Sequence, residues 1–181
     1  MLPRFTNFIS EGIKCNINEN NLALVIYLMR MVKALLDNPT LSLGMDIFYK
    51  CNMFNNDTLD MYLHELLPVV ISCVVSKQLC QGAKENHWAL RTYASRVLSL
   101  ISRNFTTTTT MLQYRIVKSL SKPLENQDAA FPQIYGSIVG LAELGSEVIR
   151  RTILPKLRRI SEKIEAVQVK TNSLMEIIFL K

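Results

Sequence analysis

The feature that most constrains the fold is the recurrence of apolar residues at spacings of three and four positions. This spacing runs through one segment from Leu22 to Leu36 and through another from Leu63 to Val75. Apolar residues at these intervals lie on one face of an α-helix, whereas a half-buried strand would alternate apolar and polar residues. The sequence therefore predicts an all-α protein of roughly eight helices.

Polar residues at the start of these segments fit the chemistry of helix N-termini. Asn20 or Asn21 can cap the helix that contains Leu22, and Asn86 can cap the helix that begins "HWALRTY". Thr110 closes a run of five threonines and can cap a helix reaching about Leu120. These residues set the predicted helix boundaries.

Internal repetition suggests how the helices are arranged. The segment "NNLALVIYLMRMV" from Asn20 aligns without gaps with "NHWALRTYASRVL" from Asn86, and Tyr93-Ala94-Ser95 aligns with Tyr135-Gly136-Ser137 at an offset of 42 residues. A period of about 40 to 47 residues with two helices each is typical of HEAT and armadillo arrays. We therefore expect an armadillo-like α-solenoid of about four to five antiparallel helix pairs. The identical pairs of the first alignment are Asn20/Asn86, Ala23/Ala89, Leu24/Leu90, Tyr27/Tyr93 and Arg30/Arg96.

The chain length fits a single HEAT-repeat domain over residues 1–181. The offset between Tyr27 and Tyr93 is 66 residues, which exceeds one period by 24. The apolar spacing fades between Leu41 and Asp60, where glycine, asparagine and aspartate gather. We therefore expect an insertion loop over about 41–60.

Membrane insertion and secretion are not expected. The longest apolar run, Leu66 to Val75, has ten residues and includes a proline, whereas a membrane span needs about twenty. The first residues, "MLPRFTNFISEG", lack the pattern of a secretory signal, and the four cysteines form no C-x-x-C pair. A reducing, intracellular compartment is the expectation.

The helical segment "YGSIVGLAELG" carries three of the six glycines. It lacks the G-x-G-x-x-G order of a phosphate-binding loop, and no strand precedes it. Gly136 and Gly140 lie one turn apart, where a missing side chain lets another helix approach, and Gly145 fits a left-handed helix end. A packing role is therefore expected for a wider set: Trp88, Tyr93, Gly136, Gly140, Pro68 and Pro155.

Residues suited to catalysis or metal binding are sparse. His64, Cys73, Cys80 and His87 are separated by nine, seven and seven residues, which matches no zinc motif. The carboxylates scatter along polar faces and suggest no acid–base pair. We expect no catalytic residue, no metal, no cofactor and no enzymatic activity.

A basic segment at 150–163 is the candidate functional surface. The chain carries a net charge of +6, and this segment contains six cations but only one acid, Glu162. Such a segment can be a solvated face, a surface for an acidic protein, or a phosphate-binding surface whose affinity falls steeply with salt. The six cations are Arg150, Arg151, Lys156, Arg158, Arg159 and Lys163.

Four blocks together resemble a known family. They begin at Asn20 ("NNLALVIYLMRMVKALLDNPTL"), Tyr62 ("YLHELLPVVISCVVSKQLC"), Asn86 ("NHWALRTYASRVLSLI") and Tyr135 ("YGSIVGLAELGSEVIRRTILPKL"). The blocks are similar to the C-terminal HEAT-repeat region of the TATA-box-binding-protein-associated factor six family, subunits of the general transcription factor TFIID. The resemblance covers the chain up to about residue 165.

The resemblance implies a nuclear, non-catalytic scaffold that contacts other TFIID subunits during assembly of the RNA polymerase II pre-initiation complex. It also implies self-association. In that family a histone fold that pairs with associated factor nine precedes this region, and we do not find that fold in this sequence. The 41–60 segment resembles a lineage-specific loop. The alternative is a helical module that binds nucleic acid, with weak DNA contact through the basic segment.

Overall fold

The computed structural model describes residues 2–37, 57–82, 85–105 and 111–179, and every regular element within these ranges is helical. The all-α prediction is confirmed. Most of the expected insertion at 41–60 lies outside the described residues. The main helices are α1 (Leu2–Asn18), α2 (Leu22–Leu36), α3 (Asp57–Val75), α4 (His87–Phe105), α5 (Leu112–Glu125), α6 (Phe131–Glu143) and α7 (Leu157–Phe179).

The first six helices form pairs that stack in two layers. Helix α1 packs on α2, α3 on α4, and α5 on α6. Because the links after α1 and α5 are short, the helices of those pairs run antiparallel. Helices α1, α3 and α5 are neighbours in layer A, and α2, α4 and α6 are neighbours in layer B. The described residues thus complete three pairs of the expected four to five, in the solenoid arrangement of a HEAT array.

One continuous apolar core lies between the two layers. Val25 of α2, Val70 of α3, Leu98 of α4 and Ile116 of α5 are all fully or almost fully buried in it. Neither helix of a pair could bury its apolar face alone, so stacking of neighbouring pairs is what stabilises the fold. No helix in the described ranges has the length and hydropathy needed to cross a membrane.

Two of the three predicted helix caps are present. The backbone N–H of Leu24 donates to Asn21 Oδ1 at 3.4 Å, and that of Ala89 donates to Asn86 Oδ1 at 3.3 Å. Helix α5, for which Thr110 was the predicted cap, begins after Met111, which has a φ of 42° and provides no side-chain cap. Thr110 itself lies outside the described residues.

The structure places Trp88, a member of the expected packing set, at the surface. Its side chain is 40% exposed, and its ring meets the ring of Tyr135 edge-on, with 4.8 Å between centroids. The core positions in this part of α4 belong to Leu90 and Arg91. Trp88 therefore packs against α6 at the surface and not inside the core. Tyr93, by contrast, is partly buried against the core.

The two prolines lie in different backbone contexts. Pro68 is exposed within the continuous helix α3. Pro155 lies in a 3-10 turn, Leu154–Lys156, which follows a π-helical turn, Ile149–Ile153. Proline lacks the N–H that an α-helix needs at this position and its ring clashes with the preceding turn, so a local change of helix type is its expected effect.

Candidate functional site

The C-terminal end of α3 is held by a buried arginine of α4. Arg91 has no exposed surface, and its Nη1 and Nη2 donate to the carbonyl oxygens of Val74 and Ser76, each at 2.7 Å. The last carbonyls of a helix lack partners within that helix, and the planar guanidinium fork can reach two of them at once. Arg91 therefore joins α3 to α4 from inside the core.

The neighbouring histidine completes this arrangement. Arg91 Nε donates to His87 Nδ1 at 3.3 Å, which requires that nitrogen of His87 to be unprotonated. Burial lowers the pKa of Arg91 to about 10, so the guanidinium stays charged at neutral pH. Burial, followed by the Arg91 charge, also lowers the pKa of His87 below its ordinary value of 6.5. The neutral imidazole therefore serves as an acceptor for the buried cation.

We expect stability to fall in mild acid because of His87. Since its pKa is lower in the folded state, this contribution is fully present above pH 6.5 and is lost as the pH falls through the folded pKa. Urea unfolding midpoints measured at pH 7.5 and pH 5.5 test this expectation. The His87→Asn variant should show a smaller difference between the two pH values. An unchanged difference in that variant would contradict the assignment.

Helix α6 approaches the same end of α3. A Cβ added to Gly136 would lie 2.0 Å from the carbonyl oxygen of Val74, and one added to Gly140 would lie 2.9 Å from Leu120 Cδ1. Gln133 Nε2 donates to the carbonyl oxygen of Val75 at 3.1 Å. The glycines therefore lie at close contacts between helices.

Gly145 follows the end of α6, with φ 117° and ψ 167°. This is an extended conformation at positive φ, which favours glycine, and not the left-handed helical conformation that the sequence predicted.

Three cations of the basic segment hold it against the end of α5 and the following loop. Lys156 Nζ lies 2.7 Å from Glu125 Oε1, and Arg159 Nη2 donates to the Glu125 carbonyl oxygen at 2.8 Å. Lys163 Nζ donates to the carbonyl oxygens of Gln127 and Ala129 at 2.7 and 2.5 Å. The Lys156 hydrogen bond and charge lower the pKa of the Glu125 carboxyl. These contacts give the cations a role within the chain.

The other three cations differ in their surroundings. Arg151 pairs with Glu147 at 2.6 Å, and Arg158 pairs with Glu162 at 3.1 Å, each at a spacing of four residues along its helical segment. Arg150 is exposed and has no ion pair with a described residue. The segment is therefore mostly engaged with groups of its own chain.

Removing Lys163 should loosen the start of α7 without unfolding the stack. In Lys163→Ala, amides of residues 157–168 should exchange with solvent about tenfold faster, as expected for the loss of about 1.4 kcal/mol of local stability. Hydrogen exchange followed by mass spectrometry measures this. Arg158→Ala is the matched control, since that side chain is 92% exposed and pairs only within α7. Equal exchange in both variants would contradict the role given to Lys163.

The sequence did not single out Arg91, although it contained a signal. At the 66-residue offset, Arg91 aligns with Val25, which is fully buried in α2. A charged residue at a repeat position that is apolar in another repeat indicates a buried hydrogen-bonding role. In the described ranges no three His, Cys, Asp or Glu residues converge as metal ligands.

Comparison with known proteins identifies similar sequences over most of the chain. A family model described as the TAF6 C-terminal HEAT repeat domain matches residues 1–48 and 51–158. This match includes all of the expected 41–60 insertion except residues 49 and 50. Most of that segment therefore aligns with positions of the family.

Three curated relatives give the range of similarity. Transcription initiation factor TFIID subunit 6 of Drosophila melanogaster is 51% identical over 166 residues, covering 91% of this chain and 25% of that protein. Its namesake in Arabidopsis thaliana is 35% identical over 157 residues, covering 87% and 25%. The SAGA complex/transcription factor TFIID complex subunit Taf6 of Schizosaccharomyces pombe is 29% identical over 159 residues, covering 87% and 31%. The chain thus spans about a quarter to a third of these relatives.

Proposed function

Because this chain belongs to the TAF6 C-terminal HEAT repeat family, we propose that it is a non-catalytic scaffold of the general transcription factor TFIID. It acts in the nucleus, where it holds other subunits during assembly of the RNA polymerase II pre-initiation complex. The observation that carries the proposal is the match to the family over residues 1–48 and 51–158, on a stack of helix pairs.

The physical form of the stack suits this role. Its buried apolar residues lie between the layers, so binding of other proteins on the outer faces of the described helices does not require the core to open. The side chains at the junction of α3, α4 and α6 fix the relative positions of these helices. A rigid array of this kind can present several separate contact surfaces to different partners.

The partners proposed are protein subunits. The Schizosaccharomyces pombe relative is named as a subunit of both the SAGA complex and TFIID, so the same domain could serve two assemblies. Self-association through the HEAT region stays part of the proposal. Pairing with associated factor nine is assigned to the histone fold that the family resemblance implies, and not to these 181 residues.

Reconstitution of the complex tests the proposal. The full-length subunit is co-expressed with the other TFIID subunits, with or without deletion of the family-matched residues 1–158. We expect the deletion to remove at least one other subunit from the purified complex while the remaining parts still assemble. A full complement of subunits at physiological salt after the deletion would contradict the scaffold role.

Nucleic-acid binding by the basic segment is the alternative. Phosphate contacts would make the affinity for duplex DNA fall steeply between 50 and 200 mM salt, by about 1000-fold or more for six contacts. Because five of the six cations already contact groups of this chain, we expect weak binding with a shallow salt dependence. A steep dependence that becomes shallower in the Arg150→Glu variant would favour the alternative.

A further inference from the structure

Charge is distributed unequally between the two layers of the stack. The layer A helices α1, α3 and α5 carry five cations and five carboxylates, whereas the layer B helices α2, α4 and α6 carry five cations and one carboxylate, Glu143. This contrast is invisible in the linear sequence because the two kinds of helix alternate along the chain. The layer B cations are Arg30, Lys33, Arg91, Arg96 and Arg103.

Three of these five cations are available at the surface. Arg91 is inside the core, and Lys33 pairs with Asp37 beyond the end of α2. The Arg96 side chain is 70% exposed, with its Nε 3.5 Å from Glu143 Oε1. Arg30 and Arg103 are exposed and form no ion pair with any residue that the structure describes. Layer B therefore has an excess of exposed positive charge.

Aromatic residues recur at one repeat position on the same three helices. Tyr27, Tyr93 and Tyr135 align in the repeat; Tyr27 is 61% exposed, Tyr135 is 37% exposed, and Tyr93 is half-buried between them. The Tyr135 hydroxyl lies 3.1 Å from Thr92 Oγ1, and its ring contacts Trp88. Aromatic side chains of α4 and α6 thus contact each other across the interface between these two helices.

Arginines accompany this tyrosine row. Arg30 follows Tyr27, and Arg96 follows Tyr93, by three residues, which places each arginine on the same helix face one turn further along. Packed helices lie about 8–10 Å apart, so a row across three helices spans roughly 20 Å. An extended chain of about six residues covers that distance. The length of the tyrosine row, with the two arginines beside it, therefore matches that of a short linear segment lying across the helices.

We propose that this surface, the layer B face formed by Tyr27, Arg30, Trp88, Arg96 and Tyr135, binds a short acidic segment of another subunit. Apolar side chains of the segment contact the aromatic row, and its carboxylates pair with Arg30 and Arg96. Tyrosine, tryptophan and arginine are the residues most enriched among energetically dominant interface positions. The inference rests on the proposed scaffold function and specifies the chemistry of one partner.

A protein segment fits this face better than nucleic acid does. The Trp88 ring has two ring neighbours, His87 and Tyr135, at centroid distances of 4.2 and 4.8 Å. A base stacks on an open aromatic face, and two neighbouring rings restrict that access. The exposed parts of Trp88 and Tyr27 remain available to apolar side chains.

Site-specific photo-cross-linking tests the proposal. A benzoylphenylalanine residue replaces Tyr27 in the full-length subunit within the reconstituted complex, and Tyr114 is the matched control, because it is 63% exposed on α5 in layer A. We expect position 27 to cross-link to another subunit, at a segment in which Asp and Glu outnumber Lys and Arg. We do not expect position 114 to reach that segment.

A synthetic peptide of the cross-linked segment then supplies an affinity measurement. The double variant Arg30→Glu with Arg96→Glu should weaken binding by about tenfold or more. The matched control, Lys118→Glu with Lys122→Glu, makes the same charge change on layer A and should stay within about twofold of wild type, allowing for long-range electrostatics. Urea unfolding confirms that each variant is folded. Equal weakening in both double variants would overturn the proposal.

The outcomes also separate this inference from the proposed function. A wild-type subunit that joins no complex overturns both. If the complex assembles but position 27 cross-links to DNA, to a basic segment or to a second copy of this chain, the inference alone fails. It also fails if position 27 cross-links no more than position 114 does.

Discussion

Replacing Arg91 by alanine should lower the free energy of unfolding by about 3–6 kcal/mol, since each of two charge-assisted hydrogen bonds contributes about 1.5–3 kcal/mol. The substitution leaves the carbonyl oxygens of Val74 and Ser76 without these donors at the end of α3 and opens a cavity in the core. Urea unfolding of the purified protein, followed by circular dichroism, measures the change.

Two further variants make this prediction specific. Arg91→Lys keeps the charge but offers one compact ammonium in place of the planar fork, so it should recover only part of the loss. Arg96→Ala removes an arginine of the same helix that is 70% exposed and should change stability by less than about 1 kcal/mol. An Arg91→Ala protein as stable as Arg96→Ala would show that the buried hydrogen bonds do not hold α3 to α4.

Replacing Gly136 by alanine should cost about 3 kcal/mol, since overpacking typically costs 1–3 kcal/mol or more. The added Cβ would lie 2.0 Å from a backbone oxygen of α3, so one of the two helices must move. This cost exceeds the gain of about 1 kcal/mol that alanine provides over glycine within a helix. Denaturant unfolding midpoints again provide the measurement.

Other glycines provide the controls. At Gly140 the nearest atom is the end of the flexible Leu120 side chain at 2.9 Å, so Gly140→Ala should change stability by less than about 1 kcal/mol, as the propensity gain offsets the crowding. At Gly82 a Cβ meets nothing within 4 Å. We therefore expect Gly136→Ala to be much less stable than Gly140→Ala and Gly82→Ala. Equal effects at Gly136 and Gly140 would contradict the close approach of α6 to α3.

Local signals in the sequence were sufficient to predict much of the fold. The apolar spacing predicted α2 and the later part of α3, and Asn21 and Asn86 cap the helices that they were expected to cap. These features depend on residues within one or two helical turns of each other. The repeat alignment also placed Tyr93 and Tyr135 on neighbouring helices of one layer.

The features that the sequence did not reveal depend on contacts between distant parts of the chain. Trp88 is a large apolar residue at the start of a helix, and its contact with Tyr135 of α6 depends on how these two helices pack. In the sequence Lys163 is one cation of a basic segment, whereas in the structure it donates to backbone carbonyls 34 and 36 residues earlier. Every residue has a backbone carbonyl, so the sequence does not indicate which one accepts a hydrogen bond from Lys163. Only the folded structure identifies these acceptors.

The charge difference between the two layers is another feature that the sequence alone did not reveal. Arg30 and Arg96 are far apart in sequence, and neither stands in a basic run. The basic segment at 150–163 was the more conspicuous feature, yet its cations are largely engaged within the chain. The surface proposed for an acidic partner became visible only when alternate helices were sorted into layers.

The most direct test of the scaffold role is cross-linking mass spectrometry on the assembled complex with a lysine-reactive reagent. Lys14 of α1 and Lys118 and Lys122 of α5 are exposed and can report on neighbours of layer A, while Lys33 can report on layer B. We predict cross-links from these lysines to at least one other subunit. If lysines of this domain cross-link only to residues of the same chain, while lysines of the other subunits cross-link to one another in the same sample, the domain does not act as a scaffold.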